Sequence, residues 1–287
     1  MRLGERLNVE PFGLVLSAGY FGFFGHAGVV SSLEAHDLHP AAYAGTSAGA
    51  LVGAMAASGM SAAAIEAMLV SVRRHEFWDP SLRGVLADAA RGGATGLLRG
   101  EKFRAKLEAS LPVARFEDCA RPLVVVTSDV TRAEPRVHDR GPLAPAIHAS
   151  CAYPGLFRTV DDDGTQLWDG GLIDKAPIVA LIDRHPTLEA LVVVYLPSDT
   201  KARAAAKPRR YGYLGGLQQG LAAVRHEHYL LQARLAEARG VAVYELSPSL
   251  PAVGPTRLEA GPRAFDAART AAAAWLDADE ASCRPYA

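Results

Sequence analysis

The segment Ala42–Ala54, AYAGTSAGALVGA, sets Ser47 between Gly45 and Gly49 and follows it with a run of small helix formers. A serine with glycine two residues away on either side fits a strained strand-to-helix turn. There the chain folds back tightly and lifts the hydroxyl clear of the sheet. The helix behind such a turn points its N-terminal dipole at charge developing on the oxygen. An Ala-rich helix with glycine at its start is the plainer alternative. The apolar strand before Ser47 and the small Ala48, Ala50, Gly53 and Ala54 behind it favour the sharp turn.

A serine hydroxyl becomes a nucleophile only with a base beside it. The best carboxylate is Asp169, in LWDGGLIDKAP, where it follows strand-forming residues and precedes Gly170 and Gly171. That setting lets an aspartate project from a strand end, although a simple Asp-Gly turn looks the same in isolation. None of the nine histidines has a comparable context. His26 reads as a packing residue at a helix start and His185 as a loop residue, while His226 and His228 are two apart on a helix and cannot share a face. The third chemical element is LSAGYFGFFGHAG, in which glycines at 19, 22, 25 and 28 follow a strand and open a helix. Free backbone N–H groups in such a loop can hold an anion. Neither G-x-G-x-x-G nor G-x-x-x-x-G-K-[ST] is present, so the loop suits an oxyanion, with Gly19, Tyr20 and Phe21 as donors, better than a nucleotide.

These residues need a scaffold. Phe12–Ser17 and the run LEALVVVYLP read as buried strands, and RPLVVVTSDV is the near-continuous β-branched run of a strand covered on both faces. A short strand at 41–44 leads into the serine turn and a helix that ends near Gly59, after which Ser61 caps the next helix. FRTVDDDGTQLWDGG reads as a hairpin turning at Asp163-Gly164. Residues 79–100 are glycine-rich and predict a mobile loop or cap. Strands alternating with helices give an α/β domain around a mostly parallel sheet. Beyond Ser198, KARAAAKPRR predicts a surface loop and Leu217–Arg239 a long helix. Its stripe of Leu217, Leu221, Val224, Leu231 and Leu235 is expected to face the core.

The bulk properties set limits. A chain of 287 residues with net charge −1 has no basic stripe of the kind that binds nucleic acid. Cys119, Cys151 and Cys283 are odd in number and far apart, which gives neither a disulfide framework nor a metal-ligand spacing. No apolar run approaches the roughly 18 residues of a membrane-spanning helix, and Glu5, Asn8 and Glu10 do not suit a signal peptide. A soluble, cytoplasmic protein is expected.

Taken together, the glycine-rich loop, GTSAGA and WDGG resemble the patatin-like phospholipase family of serine lipid acyl hydrolases, and IHASCAYPGLF resembles the segment that leads to the family's aspartate. The resemblance runs from about Phe12 to Pro197. It implies a three-layer α/β sandwich with a nucleophile elbow, a catalytic domain at 12–197, and a C-terminal helical extension at 198–287 packed on it. It further implies a Ser47–Asp169 dyad without histidine, with no cofactor and no metal. Gly45, Gly49, Gly170 and Gly171 are then motif residues. The expected substrate is a lipid or acyl ester, with weak contact to a membrane surface. Physically, the aspartate must be partly desolvated to act as base, and Trp168 and the apolar elbow are expected to supply that setting. The family's loop is Gly-Gly-Gly-x-Arg/Lys-Gly. Here Ala18-Gly19-Tyr20-Phe21-Gly22-Phe23 places Gly22 where the basic residue belongs. Two further readings therefore stand beside the acyl hydrolase: a weakly active or inactive lipid-binding or regulatory protein on the same fold, and a serine thioesterase. The aromatic residues at 20, 21, 23 and 24 read equally as an acyl pocket or as core.

Overall fold

The computed structural model describes residues 1–90, 93, 95–196 and 212–285; the KARAAAKPRR segment lies outside them. In chain order the helices are α1 (Leu3–Val9), α2 (Phe23–Ala35), α3 (Ala48–Ala57), α4 (Ala62–Ser71), α5 (Arg74–Phe77) and α6 (Leu82–Ala90), followed by α7 (Glu101–Ser110), α8 (Leu143–Ser150), α9 (Ile178–Arg184), α10 (Tyr213–Ala238) and α11 (Gly261–Leu276). The strands are β1 (Phe12–Leu16), β2 (Ala42–Thr46), β3 (Gly96–Leu98), β4 (Leu123–Asp129) and β5 (Glu134–His138). After them come β6 (Gly155–Phe157), β7 (Val160–Asp162), β8 (Thr165–Asp169), β9 (Ala190–Val194) and β10 (Ala242–Leu246).

The main sheet runs β10-β9-β1-β2-β4-β8-β7, with β5 also paired to β4. Its left half is parallel, from β10 through β4, whereas β4–β8, β8–β7 and β4–β5 are antiparallel. The central strands are buried on both faces, which explains the continuous apolar runs of β1, β9 and the first half of β4; the polar residues at the ends of β2 and β4 lie at the site. Alternate residues feed two cores. Leu14, Leu16, Val125 and Val192 meet the helix layer that contains α2, α3 and α11, and Val15, Val124, Val126 and Val193 meet the layer of α9 and α10. Helices on both faces of a mostly parallel sheet make a three-layer α/β sandwich.

The hairpin at Asp163-Gly164 forms as expected, with both turn residues at positive φ (51° and 78°). Three expectations change. Residues 79–100 carry α6 and β3, and the buried Asp79 carboxylate accepts the N–H groups of Gly100 and Lys102 at the start of α7. The C-terminal region is not purely helical, because β10 extends the main sheet in parallel with β9. The apolar stripe of α10 faces outward: Leu217 is 56% exposed, Val224 67% and Leu231 59%. The helix instead buries Tyr229, Gln232, Ala233 and Ala236. Small alanines allow close approach to the sheet. Gln232 is also needed inside, where its Nε2 donates to Asp174 and its Oε1 accepts the Val179 N–H. A buried carboxylate left without that partner costs more than an exposed leucine gains by burial.

The α2–α11 contact depends on Gly28. A Cβ there would strike the Phe265 carbonyl oxygen and come within 3.0 Å of Ala268 Cβ and Arg269 N. Gly28→Val should therefore force the two helices apart and lower unfolding free energy by about 1–3 kcal/mol. Urea denaturation measures it, and an unchanged midpoint would mean that α11 does not pack as described.

Candidate active site

Strand β4 sets the spacing of the site. Thr46, the last residue of β2, pairs with Val126, and Asp169, the last residue of β8, pairs with Thr127. β5 occupies the other side of β4, so the ends of β2 and β8 meet head to head along one side of it and bring Ser47 and Asp169 together. Ser47 Oγ donates to Asp169 Oδ2 at 2.7 Å, with the two residues 7% and 3% exposed. Ser47 has φ 55° and ψ −118°, a conformation that non-glycine residues avoid and that tight packing holds here. A Cβ at Gly45 would lie 2.5 Å from the carbonyl carbon of Gly49, and one at Gly49 would strike the Leu16 carbonyl. Both glycines are required by backbone crossing backbone.

Hydroxyls lock the elbow to the sheet. The Ser47 N–H donates to Ser150 Oγ at 2.8 Å, and Ser150 donates on to the Val126 carbonyl at 2.7 Å. Ser128 Oγ donates to the carbonyls of Asp169 and Gly170. The second carboxylate oxygen, Asp169 Oδ1, accepts the Gly171 N–H at 2.7 Å. Gly170 lies so close to the Val126 carbonyl that no side chain fits, and a Cβ at Gly171 would come 2.6 Å from Ala18 Cβ. The Asp-Gly-Gly turn thus aims one carboxylate oxygen at Ser47 and occupies the other.

Burial pushes the Asp169 carboxyl up to about 6, against the opposing pull of hydrogen bonds from Ser47 and Gly171 and of the Arg225 charge. The expected contribution of Trp168 is corrected. Strand alternation turns it to the opposite face of β8, and the carboxylate shares its cavity with Ala18, Cys151 and the elbow instead. Cys151 lies against Ser47, and burial raises its thiol.

The glycine loop roots on Ser17. Its hydroxyl accepts the Leu196 N–H at 2.8 Å, and its carbonyl accepts from His26 Nε2 at 2.8 Å. Burial lowers His26 to about 4, so the ring is neutral and works as a loop brace. Among the described residues no histidine hydrogen-bonds Ser47 or Asp169, and the N–H groups of Gly19, Tyr20 and Phe21 have no protein acceptor. Tyr20 adopts φ 54°, left-handed backbone where glycine is favoured, at a cost of roughly 1–2 kcal/mol. The position of Gly22 is closed: a Cβ would strike Leu196 Cδ1 and lie 2.8 Å from the Gly19 carbonyl oxygen. An arginine there would move the loop.

Ser47 and Asp169 open into a cavity of about 550 Å³. Its walls are apolar, with Leu51, Leu69, Phe77, Phe103, Leu107 and Phe157 prominent. The loop aromatics divide: Tyr20, Phe21 and Phe23 line the cavity, while Phe24 belongs to the core. Helix α10 covers one side with Gln218, Leu221, Ala222 and Arg225. Sequence reasoning missed Ser128, Ser150 and Arg225. The IHASCAYPGLF segment includes Ser150, the last residue of α8, but gives no sign of its hydroxyl's role, and Arg225 lies on a helix with no motif.

A carboxyl near 6 in the fold and near 3.8 when exposed leaves the ionised form disfavoured in the folded state. The proton it retains stabilises the fold below about pH 4, and that contribution is lost as pH rises through about 6. Asp169→Asn should therefore raise unfolding free energy at pH 8 by roughly 1–3 kcal/mol and leave it little changed at pH 4. Chemical denaturation at both pH values checks this; a loss of stability at pH 8 would mean that the carboxylate charge is not a burden.

The model of the Patatin-like phospholipase family matches residues 14–182. Lysophospholipase NTE1 of Candida albicans is 30% identical over 180 residues, which cover 62% of this chain and 13% of that protein. An uncharacterised NTE family protein of Mycobacterium tuberculosis is 31% identical over 173 residues, 58% of this chain and 44% of the relative. This chain therefore matches less than half the length of these relatives. Among solved structures, VipD from Legionella pneumophila shares the fold with a TM-score of 0.50 at 16% identity, covering 93% of this chain and 67% of that one. A family match over more than half of the sequence, carried by the loop, elbow and aspartate turn that meet at one sheet edge, establishes that the chain belongs to the patatin-like phospholipase family.

Proposed function

We propose that the protein hydrolyses lipid acyl esters through an acyl-Ser47 intermediate. The observation that carries this reading is the buried 2.7 Å hydrogen bond from Ser47 Oγ to Asp169 Oδ2, with Asp169 Oδ1 held by Gly171. In the first step Oγ attacks the ester carbonyl carbon while its proton passes to Asp169 Oδ2. The developing oxyanion is met by N–H groups of Gly19, Tyr20 and Phe21 in the glycine loop. The alcohol leaves with the proton from Asp169, and the acyl group stays on Ser47. Water then attacks the acyl carbonyl, gives its proton to Asp169, and the carboxylic acid departs as Oγ recovers that proton. The apolar cavity accommodates the acyl chain. The Candida relative is named a lysophospholipase, which makes a single-chain phospholipid the first natural substrate to offer.

Lipid presentation from a surface is part of this reading. Leu217 and Val224 are exposed on α10, and Leu221 between them lines the cavity, so the apolar stripe runs up to its rim. Tyr20 and Tyr153 also line the cavity and are partly exposed. No helix among the described residues is long and apolar enough to cross a membrane, so contact would be peripheral. The altered loop, with Gly22 in place of a basic residue, favours one second reading, a lipid-binding protein of low turnover.

The decisive reagent is a fluorophosphonate probe, which phosphonylates an activated serine. Wild-type protein should be labelled, and Ser47→Ala should lose the label and several orders of magnitude of ester hydrolysis while folding normally. Labelling should weaken below about pH 6 as Asp169 takes up its proton. Undiminished labelling of Ser47→Ala would move the nucleophile elsewhere, and an unlabelled, inactive wild-type protein would favour the binding reading. For the surface contact, Leu217→Asp with Val224→Asp should cut hydrolysis of vesicle lipid about tenfold and leave turnover of a soluble short-chain ester intact. Equal rates on vesicles would remove the stripe from the account.

A further inference from the structure

By its resemblance to the family, the loop would carry a basic residue at the position of Gly22, and here no side chain fits there without a shift: a Cβ would run into Leu196 and the Gly19 carbonyl. Among the described residues three cations line the cavity around Ser47 and Asp169, and one of them, Lys106, is paired with Glu76. Lys175 Nζ donates to the Leu196 carbonyl and lies 4.2 Å above the Tyr195 ring. Its charge acts on His26, under the root of the loop. Arg225 is placed differently. It comes from α10, beyond the 14–182 region that matches the family, and its Nη1 donates to the Gly171 carbonyl at 2.8 Å. That residue's own N–H holds Asp169 Oδ1, so the guanidinium grips the turn that aims the carboxylate. Arg225 Nε is buried and has no partner among the described residues, and the side chain lines the same cavity as the dyad.

We propose that Arg225 is a positioning residue that replaces, from the C-terminal helix, the positive charge missing from the glycine loop: it fixes the Asp-Gly-Gly turn through Gly171 and keeps a cation beside the Asp169 carboxylate. The inference rests on the hydrolase reading for its role in turnover, but the electrostatic arrangement stands on geometry. The groups that face Asp169 are the Ser47 hydroxyl from the elbow, the Cys151 thiol after α8, the Gly171 N–H from the turn and the Arg225 guanidinium from α10. From β4, Ser128 reaches only the backbone carbonyls. Among the described residues Arg225 is thus the cation whose charge acts on the carboxylate, and it opposes the burial that favours the neutral acid. A base must be ionised to accept the Ser47 proton, so the loss of this cation should narrow the working pH range from the acid side.

The test compares Arg225→Gln with Arg225→Lys. Helix α10 keeps its other anchors in both variants, Gln232 on Asp174 and Tyr229 on Glu245, so docking is preserved. The primary readout is the carboxyl titration of Asp169 by NMR with ¹³C-labelled aspartate, the signal assigned by its absence in Asp169→Asn. Arg225→Gln should move the midpoint up by roughly half a pH unit or more, and Arg225→Lys should stay near wild type. The acid limb of kcat/KM on a soluble ester should move with it. A purely structural arginine would lower rate evenly at all pH values and leave the titration in place, and an unmoved midpoint in folded Arg225→Gln overturns the proposal. Because the titration needs no turnover, an inactive wild-type protein would count against the hydrolase reading while the midpoint still decides the part played by Arg225.

Discussion

A carboxylate withheld from water is the constraint around which the other features are arranged. Asp169 is 3% exposed, and its charge is tolerated because each oxygen has a donor and the Arg225 cation acts on it. Burial raises its proton affinity to a value at which it can take a proton from a serine and give it back near neutrality. A histidine has an ordinary pKa already in that range, and on the proposed reading burial brings a carboxyl there instead. Here the environment supplies what the side chain lacks, and the stability given up for it resides in one residue.

That arrangement explains why the sheet is built as it is. β4 serves as a common edge from which β2 delivers Ser47 in parallel and β8 delivers Asp169 in the opposite direction. The change from parallel to antiparallel at this strand is what allows two strand ends to meet at one level. Ser128 and Ser150 bind the two turns to β4 through buried hydroxyls, so a slip of one residue would break several hydrogen bonds at once. Strain at Ser47 and Tyr20, both at positive φ, is held by the same packing.

The sequence was most informative where backbone geometry restricts residue type. Gly45, Gly49, Gly170 and Gly171 are visible because close approach admits no Cβ, and β1, β9 and the start of β4 because burial on both faces demands continuous apolar runs. It was least informative where a choice depended on partners distant in the chain. The orientation of α10 was misjudged because its leucine stripe suggests a core face, whereas the buried Asp174 draws Gln232 inward from 58 residues away. Ser150, 103 residues from Ser47, and Arg225, 54 from Gly171, carry no local pattern that marks them. The closure of Gly22 likewise depends on Leu196, two residues beyond the end of β9.

The central claim is that Ser47 and Asp169 form a working pair in which the serine carries the acyl group. Intact-protein and peptide mass spectrometry after rapid quench with a slowly turned-over acyl ester tests it directly. The account predicts one acyl adduct, on the peptide that contains Ser47, which decays as free acid accumulates. Ester hydrolysis with the adduct on a different residue, or hydrolysis that persists at the parental rate in Ser47→Ala, would contradict it.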